Sequence, residues 1–194
     1  YEPELDGGGL QYLEALTRTS QRLRDRIESL LAYSSIKADN DSFEQLSISN
    51  IITDVREDLD YIMSGVNFEI PEDQPQIFGN RALLIELFSN LLTNAVKYND
   101  KEEPRISIGW EERNEKYLLW VEDNGPGIKD RYLEKIFQMF EKLNPRENPE
   151  GTGVGLALCK RIVEEHDGKI WAESEIDKGT TFYFTLPKTS EGKS

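Results

Sequence analysis

The chain has little of what several common kinds of site require. It carries one cysteine, Cys159, and one histidine, His166, in 194 residues. A lone thiol makes no intrachain disulfide, and no cysteine cluster is left to hold zinc. Such sparse cysteine usage fits a reducing compartment. Cys159 sits in an apolar helical run and reads as a small core residue rather than a nucleophile. Positive charge is also scarce. There are 23 Lys and Arg against 37 Asp and Glu, a net charge of −14. That balance argues against nucleic acid or an anionic membrane as the main partner. No apolar run approaches the ~18 residues of a membrane span, and no signal-peptide pattern is present. The expectation is a cytoplasmic piece, from a soluble sensor or the cytosolic part of a membrane-bound one, with no membrane insertion of its own. The sequence opens at Tyr1 without Met and reads as part of something longer. The common phosphate-binding loops are missing too. Gly192-Lys193-Ser194 imitates the end of G-x-x-x-x-G-K-[ST], but Pro187 stands where its first glycine belongs, and there is no G-x-G-x-x-G.

What is present can close a core. Hydrophobic residues make up 37% of the chain, with three Trp and eight Phe, enough for one domain and a small extra element. After Asp6-Gly7-Gly8-Gly9, which reads as a turn or flexible segment, Leu10 to Ile36 has a helical pattern. Leu13, Leu16, Ser20, Leu23, Ile27, Leu30 and Ser34 alternate by threes and fours, a seam of about three heptads. One helix cannot bury its own stripe, so the seam predicts a partner helix or packing on the body. Lys37 to Ser42 reads as a linker. A mixed α/β pattern follows. Phe43–Leu46 is a short strand, and a helix capped by Ser47 or Ser49 runs to about Met63. Strands come at 67–70 and 76–78, and a long helix capped by Asn80 ends near Tyr98. Arg105–Glu111 and Tyr117–Glu122 alternate as an antiparallel pair, and a short helix covers 129–137. Phe140 to Thr152 reads as a mobile loop, and a helix runs from Gly153 to His166. Strands over 169–174 and 180–186 close the pattern, with a frayed tail at 190–194.

The most informative stretch is Glu86-Leu-Phe-Ser-Asn90-Leu-Leu-Thr-Asn94-Ala-Val-Lys97-Tyr98. At helical spacing Glu86, Asn90, Thr93, Asn94 and Lys97 share a sector of roughly 100°. Leu84, Leu87, Phe88, Leu91, Leu92, Ala95 and Val96 cover most of the rest. A carboxylate, two amides and an ammonium on an otherwise apolar helix suit a hydrated cation and phosphates. They also suit structural amide pairing. Asp123-Asn-Gly125-Pro-Gly127-Ile128 follows an apolar strand. A carboxylate there can accept from an exocyclic amino group such as that of adenine, and the glycines allow close approach; alone, such a segment is more often a plain turn. Gly151-Thr-Gly153-Val-Gly155-Leu156 precedes a helix, where free N–H groups and the helix dipole favour phosphate. In this order and spacing the three together predict a nucleotide site.

From about Phe43 to Pro187 the chain resembles the ATP-binding catalytic domain of sensor histidine kinases, in the superfamily shared with gyrase, Hsp90 and MutL. The matching residues are Glu86…Asn90-Leu-Leu-x-Asn94-Ala-Val-Lys97-Tyr98, Asp123-Asn-Gly125-Pro-Gly127-Ile128, Ile136-Phe137-x-x-Phe140, Gly151-Thr-Gly153-Val-Gly155-Leu156 and Gly179-Thr180-Thr181-Phe182-x-Phe184-x-Leu186-Pro187. Phe140-Glu-Lys-Leu-Asn-Pro-Arg146 is similar to the phytochrome-type branch. The resemblance implies an α+β chain, a two-layer α/β sandwich with a mixed sheet (the Bergerat-type ATP-binding fold), preceded by a long amphipathic helix. Residues 1–38 would be part of a dimerisation and phosphotransfer hairpin, and 39–194 the ATP-binding domain.

It further implies ATP and Mg²⁺ as cofactors. Asn94 would hold the metal with Asn90 beside it, and Lys97 and Tyr98 would reach toward phosphates. Asp123 would read the adenine amino group, with Thr180 or Thr181 in support. Gly125, Gly127, Ile128, Gly151, Thr152, Gly153, Val154, Gly155 and Leu156 would line base, lid and phosphates. Lys142 and Arg146 would be lid cations, and Phe137 and Phe140 would anchor the start of the lid by packing. Glu86 takes the catalytic place, as a base or as an orienting group. The implied partners are a response regulator receiver domain and a second copy joined through the N-terminal helix. One departure is plain: the family's acceptor histidine, in a Ser/Thr-x-His-Asp/Glu context, is absent. His166, in Val163-Glu-Glu-His166-Asp-Gly168, reads as a structural residue favoured at a helix C-terminus. The expected function is the ATP-binding catalytic region of a two-component sensor histidine kinase, passing the γ-phosphate to a histidine outside this chain and then to a response regulator. A serine protein kinase, a plain ATPase of the same superfamily, and a non-catalytic nucleotide-binding module are the alternatives. The N-terminal seam argues against the first two.

Overall fold

The protein is described by a computed structural model over residues 7–36, 42–141 and 153–189. Most of the expected linker, the greater part of the expected loop, and the tail lie outside these residues, and so do Lys142, Arg146, Gly151 and Thr152.

Helix α1 (Gly7–Ser35) is 29 residues long. It takes in Gly7, Gly8 and Gly9, which the sequence suggested as a turn. Each helical glycine costs about 1 kcal/mol against alanine, but extending a helix already nucleated by the residues that follow adds a hydrogen bond for each residue fixed. Leu13, Leu16, Leu23, Ile27 and Leu30 of the seam are all exposed. Near the end of the helix Tyr33, and just beyond it the buried Ile36, pack with the main core.

Strand β1 (Phe43–Ser47) pairs antiparallel with β3 (Gln76–Asn80), with Phe43 opposite Asn80. Between them lie α2 (Ile48–Asp58), α3 (Asp60–Met63) and β2 (Asn67–Glu69). The expected single helix is split at Leu59, which leaves helical angles (φ −100°, ψ 7°) while packing on the core. Ser47 occupies the N-cap position of α2 without a side-chain cap bond. Next come α4 (Arg81–Lys97), β4 (Arg105–Arg113), β5 (Lys116–Asp123), α5 (Asp130–Leu133) and a 3-10 turn at Lys135–Phe137. The chain closes with α6 (Gly155–Glu165), β6 (Ile170–Glu175) and β7 (Gly179–Pro187).

The five-stranded sheet has the order β2-β4-β5-β7-β6. β2 runs parallel to β4 and the other pairs are antiparallel, so the sheet is mixed as expected. Its alternation is the reason for the layers. Ile106, Ile108, Leu119, Val121, Phe182, Phe184 and Leu186 face inward and are buried. They share one core with Leu84, Leu87, Phe88, Leu91, Leu92 and Ala95 of α4 and with Leu158, Cys159, Ile162 and Val163 of α6. Phe88 meets Phe184 edge-on at 5.6 Å. Burying each such Leu, Ile or Phe contributes about 1.5–3 kcal/mol. Cys159 is fully buried, and burial pushes its thiol well up, in keeping with a core residue.

Asn80 caps α4 as expected, its side-chain oxygen accepting from Leu83 N–H at 3.1 Å. His166 adds a tie that the sequence did not reveal. It is fully buried. Asn80 N–H donates to its Nε2 at 3.0 Å, and its Nδ1 lies 2.7 Å from the Ile162 carbonyl. A backbone N–H can only donate and a carbonyl can only accept, so the ring carries one proton, on Nδ1. The imidazole therefore works as a neutral two-ended connector. It fastens the C-terminal end of α6 to the N-terminal end of α4, with the Phe43 ring 4.8 Å away.

Candidate nucleotide site

Three elements converge on the polar stripe of α4. Its apolar side is locked into the core, so Glu86, Asn90 and Asn94 stay on the opposite side by helical geometry. Asn90 Nδ2 donates to Glu86 Oε1 at 2.8 Å and to the Glu86 carbonyl at 2.9 Å. A carboxylate only accepts, which fixes the flip of the amide. Asn90 Oδ1 then faces the start of α6, where a Cβ added to Gly155 would sit 2.6 Å from it. Glycine leaves the amide oxygen its place there, because helix and oxygen approach so closely. The Asn94 side chain is half-buried. Among the described residues its amide has no hydrogen-bond partner. Two amide oxygens, one oriented and one uncommitted, are hard neutral ligands of the sort Mg²⁺ takes beside phosphate oxygens and waters. The described residues hold no cluster of three or more His, Cys, Asp or Glu that could hold a metal ion.

The Asp123 turn abuts the other end of α4. A Cβ on Gly125 would lie 3.6 Å from the Tyr98 carbonyl oxygen and from Asn99 Cα. Asp123 Oδ1 accepts from Gly125 N–H at 2.8 Å. Burial pushes the Asp123 carboxyl above its ordinary range, against the downward pull of the Gly125 and Thr180 N–H groups. A half-buried carboxylate with lone pairs to spare can recognise a donor such as an exocyclic amine. Gly127 has φ +75°, and a Cβ there would lie 2.3 Å from the Glu175 carbonyl oxygen. Its absence of side chain serves the fit of the turn against β6 as well as any ligand.

Other expected residues fall into place differently. Thr180 pairs with Asp123 and is buried on the pocket side, whereas alternation sends Thr181 to the opposite face. The side-by-side threonines looked equivalent in sequence, and the register separates them, so Thr181 is not positioned to support a bound base. Ile128 donates its N–H to Ser174 Oγ at 2.7 Å, and its side chain packs on the core. Val154 is buried and Leu156 half-buried against the core. Lys97 Nζ lies 5.8 Å from the Tyr98 ring centre, and burial pushes the Tyr98 phenol up. Phe137 packs edge-on to Phe182 at 6.3 Å, an anchor as expected. Phe140 is instead 48% exposed, so its ring does not take the expected packing role; it has φ 67°, and its N–H donates to the Gly153 carbonyl at 2.7 Å. Backbone, rather than ring packing, joins the two sides of the segment there.

Two residues went unnoticed in sequence. Ser174 Oγ accepts from Ile128 N–H, donates to the Gly179 carbonyl at 2.8 Å and lies 2.9 Å from Thr180 Oγ1. Asn124 Oδ1 accepts from Asn99 Nδ2 at 2.9 Å and Arg105 N–H at 2.8 Å, while its Nδ2 donates to the Glu103 carbonyl at 3.0 Å. It pins the Asp123 turn to the end of α4. An Asn beside a glycine is the only signal it gave, and that signal also describes an ordinary turn.

This sheet, this striped helix and this pair of glycine segments define a nucleotide-binding class. The chain belongs to the family of histidine kinase-, DNA gyrase B- and HSP90-like ATPases, whose pattern matches residues 79–190. It is 37% identical over 190 residues to cyanobacterial phytochrome B of a Nostoc species, covering 96% of this chain and 25% of that protein. The catalytic domain of the histidine kinase ThkA superposes with a TM-score of 0.67 at 29% identity, covering 78% of this chain and 99% of that one. ThkA in complex with the response regulator TrrA gives a TM-score of 0.71 at 26% identity over 98% of this chain and 54% of ThkA. The chain spans about a quarter of the length of the first curated relatives it matches. Among the described residues, no helix is long and apolar enough to cross a membrane.

Proposed function

We propose that this chain is the ATP-binding catalytic region of a two-component sensor histidine kinase. Its parent passes the γ-phosphoryl group of Mg²⁺-ATP to a histidine outside this chain and from there to an aspartate of a response regulator receiver domain. The observation that carries the reading is the fixed Glu86–Asn90 pair facing the start of α6 across the Gly155 gap, with Asp123 at the far end of the same helix. Phosphoryl transfer needs mainly positioning and charge neutralisation. Asn94 and Asn90 would hold Mg²⁺, which supplies charge for the β- and γ-phosphates. Gly153 and Gly155 bring backbone to the phosphates, and Lys97 and Tyr98 reach toward them. Asp123, backed by Thr180, accepts the adenine amino hydrogen. Glu86, whose Oε1 is held by Asn90, orients the attacking imidazole and takes up its proton.

His166 cannot be the acceptor. It is the chain's one histidine, it is fully buried, and both ring nitrogens are engaged. The parent would dimerise through α1, whose Leu13, Leu16, Leu23, Ile27 and Leu30 are exposed and spaced as a seam for a second copy. A cytoplasmic location and residues 1–38 and 39–194 as the two units complete the reading.

Calorimetric titration of ATP with and without Mg²⁺ tests it. The chain should bind Mg²⁺-ATP, Asn94→Ala should lose the Mg²⁺-dependent part, and Asp123→Ala should lose affinity with or without the metal. Equal, negligible binding in all three proteins would leave a non-catalytic module as the better account.

A further inference from the structure

The side of the five-stranded sheet that points away from the helices carries a row of residues that the nucleotide site does not use. In register, Gly109 of β4 lies beside Trp120 of β5, Trp120 beside Tyr183 of β7, and Tyr183 beside Trp171 of β6. Their strand neighbours Ile108, Val121, Phe182 and Ala172 are all in the core, so the row faces outward. Trp171 and Tyr183 stack with ring centres 5.4 Å apart and 15° between planes. Trp120 and Tyr183 follow at 6.3 Å and 47°. Gly109 provides the seat: a Cβ there would come within 2.1 Å of the Trp120 ring, so the indole rests against bare β4 backbone. The result is an aromatic strip crossing three strands.

The next row is charged. Glu122 and Glu173 flank Thr181 in register. The Glu122 carboxylate meets the Ser107 hydroxyl at 3.4 Å, and Glu173 meets the Trp171 indole N–H at 3.4 Å. Among the described residues neither makes an ion pair, unlike Glu111 on the same face, which is bonded to Arg113 at 2.8 Å. Ring faces carry negative potential, and two carboxylates stand beside them on a chain of net charge −14. A planar cation satisfies both: a guanidinium can stack on the rings and fork to a carboxylate, which an ammonium does less well. A nucleobase could also stack, but its phosphates would meet Glu122 and Glu173.

We propose that this outer sheet face docks an arginine-bearing segment of another polypeptide, with guanidinium groups stacked on the Trp120–Tyr183–Trp171 strip and paired to Glu122 and Glu173. β5 then carries recognition on both faces, Asp123 toward nucleotide and Glu122 toward the partner.

The three tryptophans make the test direct, because Trp110 faces inward and donates its indole N–H to the Asp73 carbonyl at 2.7 Å. Indole N–H resonances of the whole chain are followed by NMR while acetyl-Gly-Arg-Gly-Arg-Gly-amide is added, and separately its lysine counterpart and maltohexaose. The expected result is movement of the Trp120 and Trp171 signals with Trp110 still, and affinity for the arginine peptide at least threefold above the lysine peptide. At least tenfold loss is expected in Trp171→Ala and in Glu122→Gln/Glu173→Gln, with Trp171→Phe retaining most binding. Trp171 lies on an edge strand and is 37% exposed, and a thermal midpoint equal to the parent's would show that its variants stay folded. Equal response to both peptides, unaltered binding in the folded Trp171→Ala variant, or binding of the oligosaccharide in place of the arginine peptide would overturn the proposal.

Discussion

Replacing His166 with alanine should do more damage than its distance from the nucleotide site suggests. The substitution strips the part-buried Asn80 N–H of its acceptor and the buried Ile162 carbonyl of a donor. Leaving a buried backbone N–H unsatisfied costs about 1–3 kcal/mol, and a carbonyl with a second lone pair costs somewhat less. The vacated ring volume beside Phe43 adds about 1 kcal/mol of lost packing. The sum is about 3–5 kcal/mol. In a domain of this size 1 kcal/mol shifts the thermal midpoint by about 2–4 °C, so the expected fall is roughly 6–20 °C. His166→Gln should recover about half, because its side-chain oxygen can still accept from Asn80 N–H. Circular dichroism during heating, with guanidinium unfolding alongside, reads both variants. Asn80→Ala removes the cap of α4 but keeps the backbone N–H that bonds the ring, so it should leave the His166 connection in place. An alanine variant within 1 °C of the parent, or a glutamine variant no better than alanine, would mean that the two-ended connection does not bear on stability.

Three further outcomes follow from the site. Gly155→Ala should keep or slightly raise the thermal midpoint, since alanine favours a helix. It should weaken Mg²⁺-ATP binding by about tenfold, or about 1.4 kcal/mol, because its Cβ would displace Asn90 Oδ1; calorimetry on the folded variant separates the two effects. Asn124→Ala removes three hydrogen bonds at the Asp123 turn and should cost about 2–4 kcal/mol, measured by chemical unfolding. The Asp123 carboxyl is raised by burial, so the folded chain holds that proton to higher pH than the unfolded chain does. Its contribution to stability is therefore full below the ordinary carboxylate range and is lost as pH rises through the raised value. ATP affinity should move the opposite way, falling as pH drops through the same window, and Asp123→Asn should flatten both profiles.

Much of the fold was legible because its signals are local. The stripe of α4 and its Asn80 cap, the alternation of β4 and β5, and the glycine before α6 each state their element within a few residues. What escaped depends on distant partners. Nothing in Thr180-Thr181 says which hydroxyl faces the pocket until β7 is registered against β5. The partners of Ser174 and Asn124 come from loops and strands far off in the chain, as does the acceptor role of His166 toward Asn80. The split at Leu59 reflects a core contact that outweighed a continuous helical pattern, and Gly7–Gly9 show a long helix overriding weak local preference. The aromatic row was hidden for the same reason: Trp120, Trp171 and Tyr183 become neighbours only across three paired strands.

The hydrogen bond from Phe140 N–H to the Gly153 carbonyl has a consequence for how such proteins diversify. The two shores of the intervening stretch are already moored to each other by main chain, so its length is not what holds them together. Doubling a loop costs only about 0.6 kcal/mol of closure entropy. Insertions, deletions and rewording between those shores can therefore accumulate while the walls of the site keep their shape.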